Sequence, residues 1–498
     1  MGSDQIITND TSHPFGAVVS LVFAGDYMQL PPIPESQSVP AIVDKHMLQH
    51  LHEHDIGSSV DIADPDIAGA MLLTGPTCHF RLRQLVENKR ITDALLLEIV
   101  EHMGSPLADG RLSLETCRYL FQNFALTAAD LAADFALPLH RRHEAFLMNS
   151  ILATNNRDTA NLRRIFSPSL GRLLGRPVFR YRLPLADSHS HLLTADEKEF
   201  IYNNNAETWG IHITGAPAYF ALDNIATVLG VANGRPTTLH SLVFADHSVT
   251  EAFLERDRTG SPGEEIIWDH CPIYHTVQHT PAAHLKLSEW PDIISLEQHA
   301  DYVILGITFA KEPIKPIILL PSGQVQHIPF RTHDVELKLV STIYKIVGKT
   351  MERVVVCLRK HSHMPHFNHA CLIVSLSRCH TLKEGWRYLP MPSDENLDHL
   401  HDLLPDEHVR NFMGGWDAHG YYDFALARQR KIEAEERNLH LSPQQKDKLS
   451  MQHQPGYCCV CRVYVSSKQL VFCSRKNCSV HACLTCASLA FPAHSCAK

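Results

Sequence analysis

The sequence lacks any long apolar run. None of its hydrophobic stretches approaches the roughly 20 residues that a membrane-spanning helix needs, so no membrane partner is predicted. The first residues, M-G-S-D-Q-I, also lack the charged and then apolar layout of a signal peptide, and Ile6 does not fit the myristoylation pattern. These absences make an intracellular protein the expectation.

A basic excess is missing as well. The 498 residues carry 45 Lys and Arg against 54 Asp and Glu, which gives a formal net charge of −9. This balance argues against a uniformly basic nucleic-acid binder but allows a basic groove, because the distribution of charge matters more than its sum. The hydrophobic content of 44% is ordinary for a globular protein, and the length allows about two to four domains.

The sequence also contains no phosphate loop of the form G-x-x-x-x-G-K-[ST]. The string Gly348-Lys349-Thr350 invites that interpretation. However, Ile343 stands where the first glycine is needed, and the string precedes a predicted strand instead of following one. No phosphate cradle is therefore predicted from these residues.

The chain is organised around residues 24–33, A-G-D-Y-M-Q-L-P-P-I, which follow an apolar run at 17–23 that predicts a buried strand. Gly25 lets the backbone turn at the strand end, and the two prolines stop the strand. Asp26 and Gln29 then lie on a stiff loop at the carboxyl edge of a sheet, where open α/β sheets bind ligands. An ordinary strand-to-turn junction is the alternative.

Further predicted elements follow along the chain. Apolar residues at near-helical spacing predict a helix over 80–103 that carries Arg90. Residues 146–156 predict a strand that ends in a Thr154-Asn155 turn and leads into a helix. The remaining predictions are a hairpin with an Asn-Gly turn over 215–235, a strand at 354–358, an apolar strand at 370–378 that ends in Ser-Arg, and a charged helix at 425–438.

Several of these strings, in this order, resemble the motifs of the Pif-type (RecD-like) DNA helicases of superfamily one, especially those carried by Helitron transposons. Residues 24–33 resemble the third motif, 85–104 the fourth and 370–378 the sixth. The fifth motif, T-I-H-K-S-Q-G-x-T, is matched at Thr342, Ile343, Lys345, Gly348 and Thr350. Tyr344, Ile346 and Val347 replace its His, Ser and Gln.

The resemblance implies an α/β fold with RecA-like helicase domains and a small inserted β domain. It further implies ATP with Mg²⁺ as cofactor, single-stranded or forked DNA as partner, and a nuclear role in DNA repair or recombination. The roles it assigns are catalytic for Gln29, Arg90 and Arg378, nucleotide-binding for Gly25, Asp26, Gln29, Gly348 and Arg378, and DNA-binding for Thr154, Asn155, Lys345 and Thr350.

Because the family's phosphate loop and its Mg²⁺-binding acidic strand are missing, we expect an incomplete motor, resembling the C-terminal two-thirds of such a helicase. Truncation, a gene-model break or decay of a mobile element would each explain it. The expected domains are a remnant of the first RecA-like domain (1–75), the second RecA-like domain in two parts (76–244 and 326–390), the inserted β domain (245–325), a linker with a charged helix (391–450) and a Cys/His-rich domain (451–498).

Eight of the 14 cysteines lie between Cys458 and Cys496. Thiolate and imidazole pairs at short spacing are typical of tetrahedral Zn²⁺ sites, and eight ligands indicate two ions. Free thiols or disulfides are the alternative, and the order resembles RING-, ZZ- or PHD-like fingers without matching any one of them. The candidate ligands are Cys458, Cys461, Cys473, Cys478, Cys483, Cys486, His494 and Cys496, with His481 as a spare.

A second hypothesis comes from a different functional class. The chain would be a non-enzymatic nuclear adaptor, in which the zinc finger binds protein or nucleic acid on an inert RecA-like scaffold.

Overall fold

The computed structural model describes residues 39–43, 74, 88–104, 110–186, 191–221, 230–280, 295–298, 302–358, 367–390, 397–417, 419–439, 470–472 and 481–483. The predicted strand and loop at 17–33 lie outside these residues. So does most of the Cys/His-rich segment, of which only two short strands are described. Within the described part of the chain, no helix is long and apolar enough to cross a membrane.

The α-helices are α1 (Val39–Ile42), α2 (Ala94–Gly104), α3 (Leu114–Asn123), α4 (Ala128–Ala136), α5 (Asn156–Leu174), α6 (Ala195–Asn204), α7 (His247–Thr259), α8 (His369–Leu376), α9 (Leu382–Gly385), α10 (Glu407–Met413) and α11 (Phe424–Leu439). Short 3-10 helices cover Leu139–Glu144, Phe146–Met148, Ala206–Thr208, Ile343–Ile346 and Asp398–Asp402.

The strands are β1 (Ile151–Ala153), β2 (Val178–Arg182), β3 (Trp209–His212), β4 (Pro217–Phe220), β5 (Pro236–Val243), β6 (Glu265–Trp268), β7 (Tyr274–His279), β8 (Ser295–Gln298), β9 (Val303–Ile307), β10 (Ile317–Leu319), β11 (Val325–His327), β12 (Val335–Leu337), β13 (Val340–Thr342), β14 (Val354–Val356), β15 (Trp386–Tyr388), β16 (Leu470–Phe472) and β17 (His481–Cys483).

A four-stranded sheet in the order β13-β1-β14-β15 is parallel throughout. Its two central strands, I-L-A and V-V-V, are fully buried, as expected for a parallel sheet that is covered on both faces. Alternate residues enter two different cores: Ile151 packs with apolar residues of α5, and Leu152 packs with those of α2, α3 and α8. This layered arrangement is the α/β fold that the sequence predicts.

A six-stranded antiparallel sheet follows the order β12-β4-β5-β7-β9-β8. Its apolar residues, among them Phe220, Val277 and Leu305, belong to the same core as Ile151 and α5, so this core joins the two large sheets. Its strands come from 217–337, a range that extends on both sides of the segment expected to form the inserted domain.

A smaller sheet, β3-β2-β6, packs against α6 and α7 over an aromatic core. The ring centroids of Phe179 and Phe253 lie 4.5 Å apart, and Trp268 lies 5.7 Å from Phe179. A two-stranded hairpin, β10-β11, contributes Ile318 to this core.

The two predicted units that are built around a turn are confirmed. β1 runs into the Thr154-Asn155 turn and then into α5, although the strand begins only at Ile151 and Phe146–Met148 forms a 3-10 helix. β4 and β5 pair in antiparallel fashion, and the predicted Asn-Gly turn places Gly234 at φ 78°, the left-handed conformation that glycine allows.

The prediction of a strand at 370–378 is wrong, since residues 369–376 form helix α8. The Asn368 side chain caps it by accepting the Cys371 N–H. Almost every residue of α8 is buried, so the polar face that would reveal helical periodicity is missing. A short apolar run of this kind does not distinguish a strand from a buried helix.

Residues 80–87 of the helix predicted over 80–103 lie outside the described residues, and within 88–103 the helix begins at Ala94. The Asn88 side chain accepts the N–H groups of Arg90 and Ile91, which closes a turn before the helix, and Asp93 accepts the Leu96 N–H. Arg90 therefore lies in a turn and not on a helix face.

The charged helix predicted at 425–438 is confirmed as α11. Phe424 packs with Phe412 of α10 and with Ile42 and Val43, and Leu400 joins the core beneath the parallel sheet. The described part of the segment expected to be a linker is thus packed onto the fold.

Candidate functional site

Three loop segments that are far apart in sequence meet beside the parallel sheet. The guanidinium of Arg90 donates from Nε to Thr350 Oγ1 at 3.0 Å and from Nη1 to the carbonyl of Ser377 at 2.8 Å. The carbonyl of Arg90 lies 2.7 Å from Nδ1 of His380. The fourth, fifth and sixth predicted motifs therefore converge on one place, with Arg90 half-buried at its centre.

Arg378 is held inside the fold. It is only 2% exposed, and its guanidinium donates to the carbonyls of Val374 at 3.1 Å and Lys349 at 3.4 Å and to Ser377 Oγ at 2.8 Å. Its own carbonyl accepts the Met351 N–H. In this conformation Arg378 ties the loop at 347–351 to the end of α8 and does not present its charge to solvent.

Gly348 lies at the exposed tip of that loop with φ 79°. A Cβ added there would meet no atom within 4 Å, so the backbone angle, and not crowding, favours glycine. The prediction that Gly348 contacts nucleotide stays a prediction.

Lys345 lies in the 3-10 turn after β13 and forms an ion pair with Glu336 of β12. The same carboxylate pairs with Arg163 of α5, whose guanidinium also donates to the Val340 carbonyl at 3.0 and 2.8 Å. Burial, together with the charge of Arg163, lowers the pKa of Lys345 to about 8. Burial alone lowers the pKa of Arg163 to about 9.

Two more lysines surround Tyr219 nearby. Lys349 donates to the Gly234 carbonyl at 3.1 Å, and its Nζ lies 4.2 Å from the Tyr219 ring centroid, within the range of a cation–π contact. Lys338 Nζ lies 6.0 Å from the same ring. Burial lowers the pKa of Lys349, and the charges of Lys338 and Lys345 lower it further.

We call Arg163, Lys338, Lys345 and Lys349 the basic cluster. It lies where the parallel sheet, α5 and the antiparallel sheet meet. Of these four residues, the sequence motifs identify only Lys345. The three lysines within 338–349 nevertheless form a local excess of positive charge that is visible in the sequence. Arg163 could not be found in this way, because its partners are distant in sequence.

Thr154 and Asn155, predicted to bind DNA, are engaged within the fold. Thr154 is 5% exposed. Asn155 caps α5: its Oδ1 accepts the Asp158 N–H at 2.8 Å, and its Nδ2 donates to the Asp158 carboxylate at 2.5 Å. Both residues therefore have structural roles in the described part of the chain.

Gly25, Asp26 and Gln29 lie outside the described residues, and so do the candidate zinc ligands other than His481 and Cys483. These two belong to β17, which pairs in antiparallel fashion with β16. Across the described ranges, no group of three or more His, Cys, Asp or Glu residues could hold a metal ion.

The fold and site define an α/β protein with a parallel sheet, an antiparallel sheet and a basic cluster between them. No protein-family model and no curated protein matches the sequence. Among solved structures, the chain is similar to Bacteroides Pif1 bound to ssDNA, with a TM-score of 0.41, 14% identity, and coverage of 82% of this chain and 70% of that one.

Two further Pif1 structures are similar. For the Bacteroides Pif1 helicase in complex with ADP-AlF3 and ssDNA, the TM-score is 0.38 at 13% identity, covering 80% of this chain and 67% of that one. For the Pif1 helicase from Candida albicans, it is 0.36 at 14% identity, covering 78% and 67%.

Proposed function

We propose that this chain carries the arginine-bearing and DNA-binding part of an ATP-dependent DNA helicase of the Pif type, acting on single-stranded or forked DNA. One observation carries the proposal. Arg90 meets Thr350 and Ser377, residues more than 250 positions away in the sequence, at one place beside a parallel sheet.

The chemistry of that place suits a phosphate group. A guanidinium at the edge of a nucleotide site stabilises the charge on a transferring phosphoryl group. Arg90 is half-buried and already oriented by two hydrogen bonds. Arg378 would have to leave the carbonyls of Val374 and Lys349 before it could act in the same way.

The basic cluster supplies the second half of the proposal. Single-stranded DNA is held mainly by cations along its backbone and by aromatic rings on which bases stack. The cluster offers four cations, of which Lys338 and Lys349 lie beside the Tyr219 ring. Tyr219 is itself mostly buried, so we infer backbone contacts and no stacking on that ring.

Hydrolysis of ATP is a separate matter. Phosphoryl transfer depends on a phosphate cradle and on a carboxylate that holds Mg²⁺, and the 498 residues contain no phosphate-loop motif. We expect this chain to show no DNA-stimulated ATPase activity. Turnover that Arg378→Ala abolishes would contradict this, because a phosphate site would then exist among residues that we have not recognised.

A second candidate function is the adaptor with a zinc finger on an inert scaffold. The burial of Arg378 favours it, since this guanidinium cannot serve a nucleotide while it is bonded to the carbonyls of Val374 and Lys349. Titration of the full chain with a labelled oligonucleotide at low salt separates the two candidates. Salt-sensitive binding that weakens when the lysines of the basic cluster are changed to Gln supports the helicase proposal. No binding, or binding that these changes leave intact, supports the adaptor.

A further inference from the structure

Glu336 stands among the cations of the basic cluster. It is the middle residue of β12, an edge strand of the antiparallel sheet, and its carboxylate forms ion pairs with both Arg163 and Lys345. The side chains of Glu336, Arg163 and Lys345 are partly accessible, with 19%, 17% and 26% of their surfaces exposed, respectively. Solvent ions and a polyanion can therefore compete for these contacts.

The strand fixes where Glu336 points. Its neighbours Val335 and Leu337 are buried in the core between the two large sheets. Because successive side chains of a strand point to opposite faces, Glu336 faces away from that core. It meets Arg163 of α5 and Lys345 of the turn after β13, so the contact joins the two sheets.

The local charges are unbalanced. Four cations form the cluster, and Glu336 is the carboxylate seen in direct contact with two of them within the described residues. Asp334 and Glu352 also act electrostatically on Lys345 and Lys338, respectively. Carboxylate and phosphate oxygens make the same kind of charge-assisted hydrogen bond to guanidinium and ammonium groups.

We propose that Glu336 occupies the position of a DNA phosphate on the basic cluster and must release Lys345 before the DNA backbone binds there. Glu336 is thus an internal competitor that lowers the affinity for single-stranded DNA. The inference rests on the proposed DNA-binding function and adds a residue that limits it.

The test compares charge-matched variants of the full chain in fluorescence anisotropy titrations with a labelled oligothymidylate at several salt concentrations. Glu336→Gln keeps the shape of the side chain but removes the competing charge. We expect an affinity gain of about three- to tenfold at low salt and a slope of log K against log salt that is steeper by about 0.7, the value for one added single-strand phosphate contact.

Glu352→Gln is the matched control, because it removes the same charge from an exposed residue that influences Lys338 electrostatically, with no ion pair between the two in the described part of the chain. We expect this variant to change the affinity by less than about twofold. Equal gains in the two variants would assign the effect to net charge and overturn the inference.

Glu336→Asp guards against a folding defect in the first variant, which thermal unfolding would reveal. It keeps the charge but shortens the side chain by one methylene, so we expect a gain between those of the other two variants. If the wild-type chain binds and neither Glu336 variant binds more tightly, the inference fails while the proposed function stands. If no variant binds at low salt, the proposed function fails and the inference with it.

Discussion

The two large sheets differ in where their polar side chains lie. In the parallel sheet the central strands β1 and β14 are wholly apolar, and the polar groups of interest gather in the loops beyond the strand ends. The antiparallel sheet and its neighbours instead carry histidines into the interior: His212, His275 and His333 are 0%, 4% and 2% exposed.

These histidines form a buried row. The ring nitrogens His212 Nδ1 and His275 Nε2 lie 2.8 Å apart, and the rings of His275 and His333 are 5.8 Å apart at their centroids. His212 Nε2 also lies 3.1 Å from Thr214 Oγ1, which donates to Asp257. The comparison teaches that the parallel sheet is an apolar support for charged loops, whereas the antiparallel sheet and its neighbours bury imidazoles in the interior.

The largest expected effect is on the Cys/His-rich segment, outside both sheets, and it tests whether this segment unfolds independently of them. If residues 458–496 bind zinc, the full chain should contain about two zinc ions, each stabilising its site by about 10–16 kcal/mol. Chelation should unfold this segment and leave both sheets folded. Cys483→Ser should lower the zinc content, whereas Cys459→Ser, outside every predicted ligand pair, should not. A chain without zinc would return the cluster to free thiols or disulfides.

Acid should destabilise the antiparallel sheet at a higher pH than the parallel sheet. Burial lowers the pKa of His212 to about 3, that of His333 to about 4, and that of His275 well below its usual value. The unfolded chain takes up protons near pH 6.5 and the folded chain does not, so stability falls as pH drops below 6.5, by about 1.4 kcal/mol per pH unit for each such histidine.

Among the described residues of the parallel region, the comparable group is His369, whose pKa burial lowers to about 4. Hydrogen exchange, corrected for its intrinsic pH dependence, should therefore show amides of β5 and β7 losing protection at a higher pH than those of β1 and β14. Loss of protection in both sheets at the same pH would contradict the contrast drawn between them.

Two arginines in the parallel region sharpen the comparison further. Arg378→Ala removes a buried group with three partners, and we expect a loss of about 2–3 kcal/mol in the free energy of unfolding. Arg90→Ala removes a half-buried group and should cost about 1 kcal/mol or less. Urea denaturation of the two variants measures the difference. A larger cost for Arg90→Ala would show that Arg378 is not the anchor of the loop at 347–351.

Much of the parallel unit follows from local sequence. The apolar run before Thr154-Asn155 and the capping role of Asn155 define a strand, turn and helix without reference to the rest of the chain. Helix α8 was missed because its surroundings bury it on all sides, which erases the periodicity on which such predictions depend.

The site was predictable only in part. Arg90, Lys345 and Arg378 were named from their motifs, but their partners come from tertiary packing. Glu336 is only nine positions from Lys345 in sequence, yet Glu336 lies in β12 of the antiparallel sheet and Lys345 in the 3-10 turn after β13 of the parallel sheet. No periodicity or spacing indicates that this carboxylate faces a predicted DNA contact.

The central claim concerns the basic cluster at the junction between the two sheets: we propose that it binds the backbone of single-stranded DNA. The most direct measurement is the salt dependence of oligothymidylate binding by a full-length variant with Lys338, Lys345 and Lys349 changed to Gln. A matched control changes Lys198, Lys315 and Lys383, on other segments, and so removes the same charge. The account predicts weaker binding in the first variant, with a slope of log K against log salt reduced by up to about 0.7 per lysine, and near-wild-type binding in the control. Equal losses in the two variants, or no loss in the first, would contradict it.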